Sequence, residues 1–276
     1  MARLIAAVLL WLTALAAPAH AQAPRWVPEA GTTPYRYETV TDVPGAPGQR
    51  FRIDYDLVSD GKGGVVAVVR AAASAQGAAE WGEIEVEADC RKALKGQGDE
   101  LARVTLSPIT PAMLSRLGSD FMDDCAPTEL FFPLTDVLNL TLIQVAPEYG
   151  LSTLAKPGDS RATPGHKAAY ERLDTALDFD VPGGTLTLDS LEPNRATVIF
   201  ESSANVRLIH RRAYSGADVT LTGTEHSALR LTIDPRTGWL LGAESTRSEL
   251  DVIMSLPGDY TQPMKIGRTI KVSPRP

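Results

Sequence analysis

The chain has 276 residues, with 27 lysines and arginines against 34 aspartates and glutamates, a formal net charge of −7 at pH 7. An acidic chain repels nucleic acid and anionic lipid head groups over long range, so these charges argue against nucleic acid as a partner. The one basic cluster, residues 210–212, is too short to reverse that balance. The length allows a substantial core, in one large domain or two small ones.

The N-terminus has the pattern of a secretory signal peptide over residues 1–21. Arg3 supplies a positive charge, residues 4–15 are apolar, and Ala19-His20-Ala21 is a small-x-small cleavage site. A membrane anchor would need about 20 apolar residues, and here Pro18 interrupts a shorter run. We therefore expect a periplasmic or secreted protein, and the sequence predicts no transmembrane segment after signal removal.

Residues 22–34 are rich in proline, alanine and glycine and predict an irregular N-terminal arm. A mainly β globular region is predicted over 35–272, in which 35–150 and 170–272 could be two halves related by duplication. Alternating apolar and polar residues over 51–57 predict a half-buried strand, and the turn at 60–64 predicts a hairpin.

Two further strands are predicted over 81–90 and 101–106, the first with its apolar residues and Cys90 inward. Cys90 and Cys125 are the two cysteines of the chain. In an oxidising compartment their default interpretation is a structural disulfide. Closing a loop of about 35 residues would contribute roughly 3–4 kcal/mol in the chain-entropy model. A reactive or metal-binding pair lacks the C-x-x-C spacing.

The middle of the chain differs from both ends. Thr110-Pro111 predicts the start of a short helix that ends near Gly118. Residues 129–145 are very apolar and favour a buried central helix with Asp136 as a possible cap, although Leu138, Leu140 and Leu142 also alternate as in a strand. A segment without a polar face is covered on most sides or lines a cavity. The candidate lining residues of an apolar pocket are Phe131, Phe132, Leu138 and Leu142.

Strand patterns resume after a long loop at 156–165. Residues 218–248 predict an antiparallel meander, with a turn at 234–238 followed by inward residues that include Leu241. Residues 264–272 predict a last strand whose outer lysines suit a sheet edge. The fold class is therefore α+β, mainly β, with antiparallel meander sheets, as an open half-barrel or sandwich, around a central apolar helical segment.

No pattern of residues identifies an enzyme. The chain lacks G-x-S-x-G, H-E-x-x-H and a Walker loop, and Asp54, Asp56 and Asp60 lack the glutamate of a calcium loop. Outside the signal the histidines are His166, His210 and His226, none in a triad or metal spacing; His226 is assigned to a solvated turn. The sequence thus predicts no catalytic, metal or cofactor residues and, on balance, no enzyme.

Two functions of different class remain. The first is binding of an apolar small molecule such as a lipid or acyl chain, in the concavity of a curved sheet closed by segment 129–145. Bacterial lipoprotein carriers have that layout, which here is an analogy of fold alone. The second is a non-enzymatic interaction or scaffold module that meets an envelope protein through exposed strand edges. Ligand identity, oligomeric state and biological process are not encoded in any motif.

Overall fold

The computed structural model describes residues 23–86, 91, 95–105, 128–172, 174–214, 216–258 and 260–276. Within these residues, 13 antiparallel strands form one open sheet, and an 18-residue helix packs against it. The chain is therefore α+β and mainly β, as the sequence predicts.

The strands are numbered in chain order: β1 (Gly31–Asp42), β2 (Gln49–Ser59), β3 (Val65–Gln76), β4 (Gly82–Glu83), β5 (Ala102–Thr105), β6 (Ser160–Thr163), β7 (His166–Arg172), β8 (Thr175–Val181), β9 (Gly184–Glu192), β10 (Arg195–Tyr214), β11 (Ala217–Ile233), β12 (Leu240–Leu256) and β13 (Tyr260–Pro274). The helix, α1, spans Thr128–Val145, and two short 3₁₀ helices follow at Pro147–Tyr149 and Leu151–Thr153.

The sheet order is β4-β3-β2-β1-β13-β12-β11-β10-β8-β7. Strand β10 pairs with β9 along its first half and with β8 along its second half, and β3 shares one edge between β5 and β4 in the same way. Pairing of β1 with β13 joins the two ends of the described chain. The edge position predicted for residues 264–272 is therefore wrong, because β13 has a partner on each side.

The first hairpin shows how sequence specifies this sheet. Over residues 51–57 of β2, every second side chain is buried, because a strand points alternate residues to opposite faces. The turn that follows is closed by the side chain of Asp60, whose Oδ1 accepts hydrogen bonds from the backbone N–H of Lys62 at 2.7 Å and Gly64 at 2.8 Å. The predicted hairpin of β2 and β3 is confirmed.

A bulge in β12 changes the face to which its side chains point. Thr246 is the extra residue, because its neighbours Ser245 and Arg247 pair with consecutive residues of β11. After this insertion the alternation restarts in the opposite phase, so Ala243 before it and Leu250 after it both lie on the concave side. A second extra residue, Leu241, separates Leu240 from Ala243, which are both buried, so two bulges keep apolar residues on one face of this 17-residue strand.

Helix α1 covers the concave face of β1, β2 and β3. Leu142 and Ile143 of the helix are almost completely buried, and so are Tyr35 and Ile53 of the strands below, all in one hydrophobic cluster. The segment for which the sequence left helix and strand open is thus a helix, and it belongs to the main hydrophobic cluster.

Several local expectations differ from the structure. Of the strand predicted over 81–90, the structure describes residues 81–86, and within these the strand is Gly82–Glu83. Strand β1 begins at Gly31, inside the predicted arm, and Leu241 is 43% exposed rather than inward. The signal peptide at 1–21, the helix at 110–118 and the disulfide between Cys90 and Cys125 lie outside the described residues.

Candidate functional site

A cavity of about 570 Å³ lies between helix α1 and the concave face of the sheet. Strands β1, β2, β6–β8 and β10–β13 contribute its sheet wall, and Leu138 and Ile143 line it from the helix. Most of the lining side chains are apolar; examples from different strands are Phe51, Phe200 and Ile270. The helix and the sheet therefore both contribute walls to the cavity.

The far part of the cavity lies over the long strands. Strands β10–β13 have 15 to 20 residues, against 11 or 12 in β1–β3. There Leu177 and Val206 form a separate small cluster with partly buried neighbours such as Phe179 and Leu250. These residues line the cavity; Leu177 and Val206 are buried, whereas Phe179 and Leu250 are only partly covered by the described residues.

Four polar side chains form one cluster, and three of them, Asp136, Glu225 and Arg268, line the cavity. Arg268 of β13 lies 3.1 Å from Asp136 Oδ2 through its Nη1 and 3.2 Å from Glu225 Oε1 through its Nη2. The Tyr37 hydroxyl donates to Asp136 Oδ2 at 2.5 Å. The cluster joins helix α1 to strands β1, β11 and β13, and we call it the Arg268 cluster.

Burial controls the protonation of the Arg268 cluster. Burial raises the pKa of Asp136 above its ordinary value, although Arg268 partly offsets this. Burial and the nearby Asp136 charge raise the pKa of Tyr37 well above 10, so its hydroxyl remains a neutral donor. Burial alone would lower the pKa of Arg268, but Asp136 and Glu225 outweigh it and the pKa is raised, so the guanidinium stays charged.

The three histidines of the described residues lie on three different strands. Among the described residues, no three His, Cys, Asp or Glu side chains are grouped as metal ligands. His166 lines the cavity from β7, where burial lowers its pKa below 6.5. His226 lies within β11 and pairs with Ser203 of β10, so its predicted place in a turn is wrong. His210 contacts Thr175 at 3.3 Å in an exposed position.

The pocket-lining residues predicted from sequence fall into different places. Leu138 lines the cavity. Leu142 is completely buried in the hydrophobic core below the helix. Phe131 and Phe132 belong to helix α1, and their side chains lie outside the described residues. The sheet wall of the cavity was not among the predicted lining residues.

The Arg268 cluster was also missed, although the sequence carries a signal for it. In β13, Ile266, Arg268 and Ile270 are two residues apart and therefore share a face. A charged residue within an inward apolar row is uncommon unless it is paired. Its partners Asp136 and Glu225 are 132 and 43 residues away in sequence, which no local pattern connects.

Comparisons with known proteins give little information about this chain. No family model matches the chain, and no curated protein matches it. Among solved structures, the chain is similar to a LolA superfamily protein from Nitrosomonas europaea, with 9% sequence identity over 89% of this chain and 84% of that chain and a TM-score of 0.17. A likeness of that size carries no argument about function. Within the described part of the chain, no helix has the length and apolar character to cross a membrane.

Proposed function

We propose that this protein binds an apolar small molecule, such as a lipid or an acyl chain, in the cavity between helix α1 and the sheet. The observation that carries the proposal is the cavity itself, about 570 Å³ in volume with mainly apolar walls. Binding sites for small molecules have volumes of about 300–1,000 Å³, mainly apolar walls and a few placed polar groups. The Arg268 cluster supplies such polar groups.

The energetics of the lining residues support the same function. Half-buried apolar side chains such as Leu250 and Ile266 keep surface that a ligand would remove from water. Burial of apolar surface contributes roughly 25 cal/mol per Å². A chain-like ligand that fills this space would therefore gain free energy without new polar contacts.

The proposed place of action is outside the cytoplasm, periplasmic or secreted. Its support is the sequence of residues 1–21, which has the charge, apolar run and cleavage site of a secretory signal. An apolar molecule dissolves poorly in an aqueous compartment, so a soluble protein with an internal apolar cavity suits its transport or capture there.

The test is native mass spectrometry of the mature protein, expressed in the periplasm, before and after organic extraction. We expect a reproducible additional mass that disappears on extraction and is recovered as lipid. Titration of the extracted protein with the apolar dye N-phenyl-1-naphthylamine should then show saturable binding.

A matched pair of variants ties the binding to the cavity. Ala204 lines the cavity from β10, whereas its neighbour Ser203 points to the opposite face. Ala204→Phe should occupy cavity space and weaken dye binding by about tenfold or more, while Ser203→Phe should leave binding within about twofold. Equal effects of both variants, or a wild-type protein with neither bound lipid nor dye uptake, would refute the proposal.

A further inference from the structure

One row of polar side chains crosses the apolar concave face perpendicular to the strands. The pairing registers place Ser202 opposite Ser227, Ser227 opposite Ser248, and Thr41 opposite both Arg268 and Gln49. In the pairing of β12 with β13, one regular stretch ends at the pair of Glu249 and Gly267. The next residue on each strand is Ser248 or Arg268, so these two side chains are also neighbours across the strands. The six members, which we call the polar row, all line the cavity: Ser202, Ser227, Ser248, Arg268, Thr41 and Gln49.

Apolar residues flank the polar row on both sides. Two residues away on one side lie Phe200, Leu229, Ile270 and Phe51, together with Thr39, whose hydroxyl donates to the backbone carbonyl of Thr269. Two residues away on the other side lie Ala204, Leu250 and Ile266, together with Glu225 of the Arg268 cluster. The cavity therefore has mainly apolar sheet residues on both sides of a polar band, rather than a polar group at one end only.

Two atoms of the polar row lack hydrogen bonds. The Oγ of Ser248 and the Nε of Arg268 are buried and have no partner among the described residues. Ser248 as a whole is only 7% exposed. By contrast, the hydroxyls of Ser202 and Ser227 bond each other at 2.8 Å. Buried polar atoms without partners are uncommon in proteins, and each costs free energy that a ligand with a suitable acceptor would recover. Rotation of Ser248 about its Cα–Cβ bond would direct its hydroxyl into the cavity.

The charges beside the polar row select the kind of acceptor. The guanidinium of Arg268 already faces two carboxyl groups, Asp136 and Glu225. An anionic head group placed there would meet these acids at close range, and their repulsion would oppose its binding. A neutral acceptor such as an ester carbonyl avoids this repulsion and still accepts from Ser248 Oγ–H or Arg268 Nε–H.

On the basis of the proposed function, we infer that the ligand is a carboxylic ester with an alkyl chain on each side of the ester group. Its carbonyl lies at the polar row, one chain runs toward the part of the cavity that Phe200, Leu229 and Ile270 line, and the other runs toward Leu250 and Ile266. The position of the polar row between two apolar parts favours a ligand whose polar group is internal rather than terminal.

Three probes of matched length test this assignment by displacement of N-phenyl-1-naphthylamine from the delipidated mature protein. Octyl octanoate has an internal ester, heptadecane has no polar group, and hexadecanoate has a terminal anion. We expect octyl octanoate to bind about 5- to 10-fold tighter than heptadecane, the difference that one added hydrogen bond makes. Hexadecanoate should bind more weakly than octyl octanoate.

The matched variants separate recognition from stability. Ser248→Ala should reduce the preference for octyl octanoate over heptadecane to about twofold or less, without lowering the unfolding midpoint of the ligand-free protein, because the lost hydroxyl has no partner there. The control, Ser203→Ala, removes a hydroxyl on the opposite face of β10 and should keep the preference. The carbonyl stretch of bound octyl octanoate, measured with the wild-type protein, should shift to the lower frequency of a hydrogen-bonded ester.

The other outcomes are distinguishable. Equal affinity for octyl octanoate and heptadecane, an unshifted carbonyl stretch, or tightest binding of hexadecanoate would overturn the ester assignment and leave apolar binding in place. A protein that binds neither the dye nor any of the three probes would overturn the ester assignment together with the proposed function.

Discussion

The two parts of the concave face have the same alternating sequence pattern, but their inward residues differ in burial. Under helix α1, inward residues such as Tyr35 and Ile53 are completely buried. On the long strands, inward residues such as Leu250 and Ile266 are only half-buried and line the cavity. Alternation therefore determines which face of a strand is apolar, but not what covers that face.

Length explains why one helix cannot cover the whole sheet. The 18 residues of α1 span about 27 Å, at 1.5 Å per residue. The 20 residues of β10 span about 65 Å when extended, at about 3.3 Å per residue. In any orientation, the helix leaves much of the apolar face of the long strands to other material. In the proposed function, that material is the ligand.

Equal truncations in the two parts of the concave face test this difference in burial most directly. Leu231 is completely buried in the core, and Leu250 is half-buried at the cavity. We expect Leu231→Ala to lower the free energy of unfolding by about 3 kcal/mol and Leu250→Ala to lower it by about 1 kcal/mol, since less surface returns to water and no closed void forms. Urea denaturation of the ligand-free protein measures both values.

With an apolar molecule bound, the two variants should lose more similar amounts of unfolding free energy, because Leu250→Ala then also removes contacts with the ligand. Equal losses for Leu231→Ala and Leu250→Ala without ligand would mean that the cavity part is packed as tightly as the core. In that case the cavity would not be available for a ligand.

The second comparison sets the inner against the outer face of one strand. Arg268 faces inward with 21% of its side chain exposed, and Lys265 faces outward with 59% exposed. Arg268→Gln leaves the carboxyl groups of Asp136 and Glu225 without their cation, so we expect it to cost about 2 kcal/mol at pH 7. Lys265→Gln removes only exposed ion pairs and should cost less than about 0.5 kcal/mol.

Thermal unfolding of the two glutamine variants at pH 7 and pH 4 sharpens this prediction. At the lower pH, Asp136 with its raised pKa takes up a proton, so the penalty for the loss of Arg268 should shrink. A penalty that does not change with pH would show that the Arg268 cluster acts through packing rather than through charge.

Much of the sheet follows from local chemistry, because strand alternation and turns depend on neighbouring residues. The pattern over 51–57 and the glycine-rich turn after it are sufficient to predict the β2–β3 hairpin. The edge assignment for 264–272 fails because outward lysines occur on the exposed face of an interior strand as well as at an edge. The partner of a strand is a non-local property, and β13 pairs with β1 from the other end of the chain.

The candidate site is less predictable for the same reason. The apolar character of the helix segment indicates either a cavity wall or a core. In the structure, Leu138 lines the cavity and Leu142 is buried in the core. The polar row depends on the registers of β1, β2 and β10–β13, with a bulge at Thr246 that sets the phase of Ser248. Neither a register nor a bulge can be deduced from one strand at a time.

The smallest expected effect concerns His166, which lines the cavity from β7. Burial lowers its pKa below the ordinary 6.5, so the unfolded chain binds this proton more readily than the folded protein does. The stability that neutral His166 contributes is therefore complete above pH 6.5 and is lost as the pH falls through the lowered pKa.

Urea unfolding at a series of pH values from 8 to 5 measures this contribution in the wild type and in His166→Gln, which cannot titrate. The wild type should lose more stability than the variant as the pH falls below 6.5. Dye affinity should fall in parallel, because an imidazolium at the wall disfavours an apolar ligand. Parallel stability curves would show that the ring of His166 reaches bulk water, and the cavity would then be open at β7 rather than closed by it.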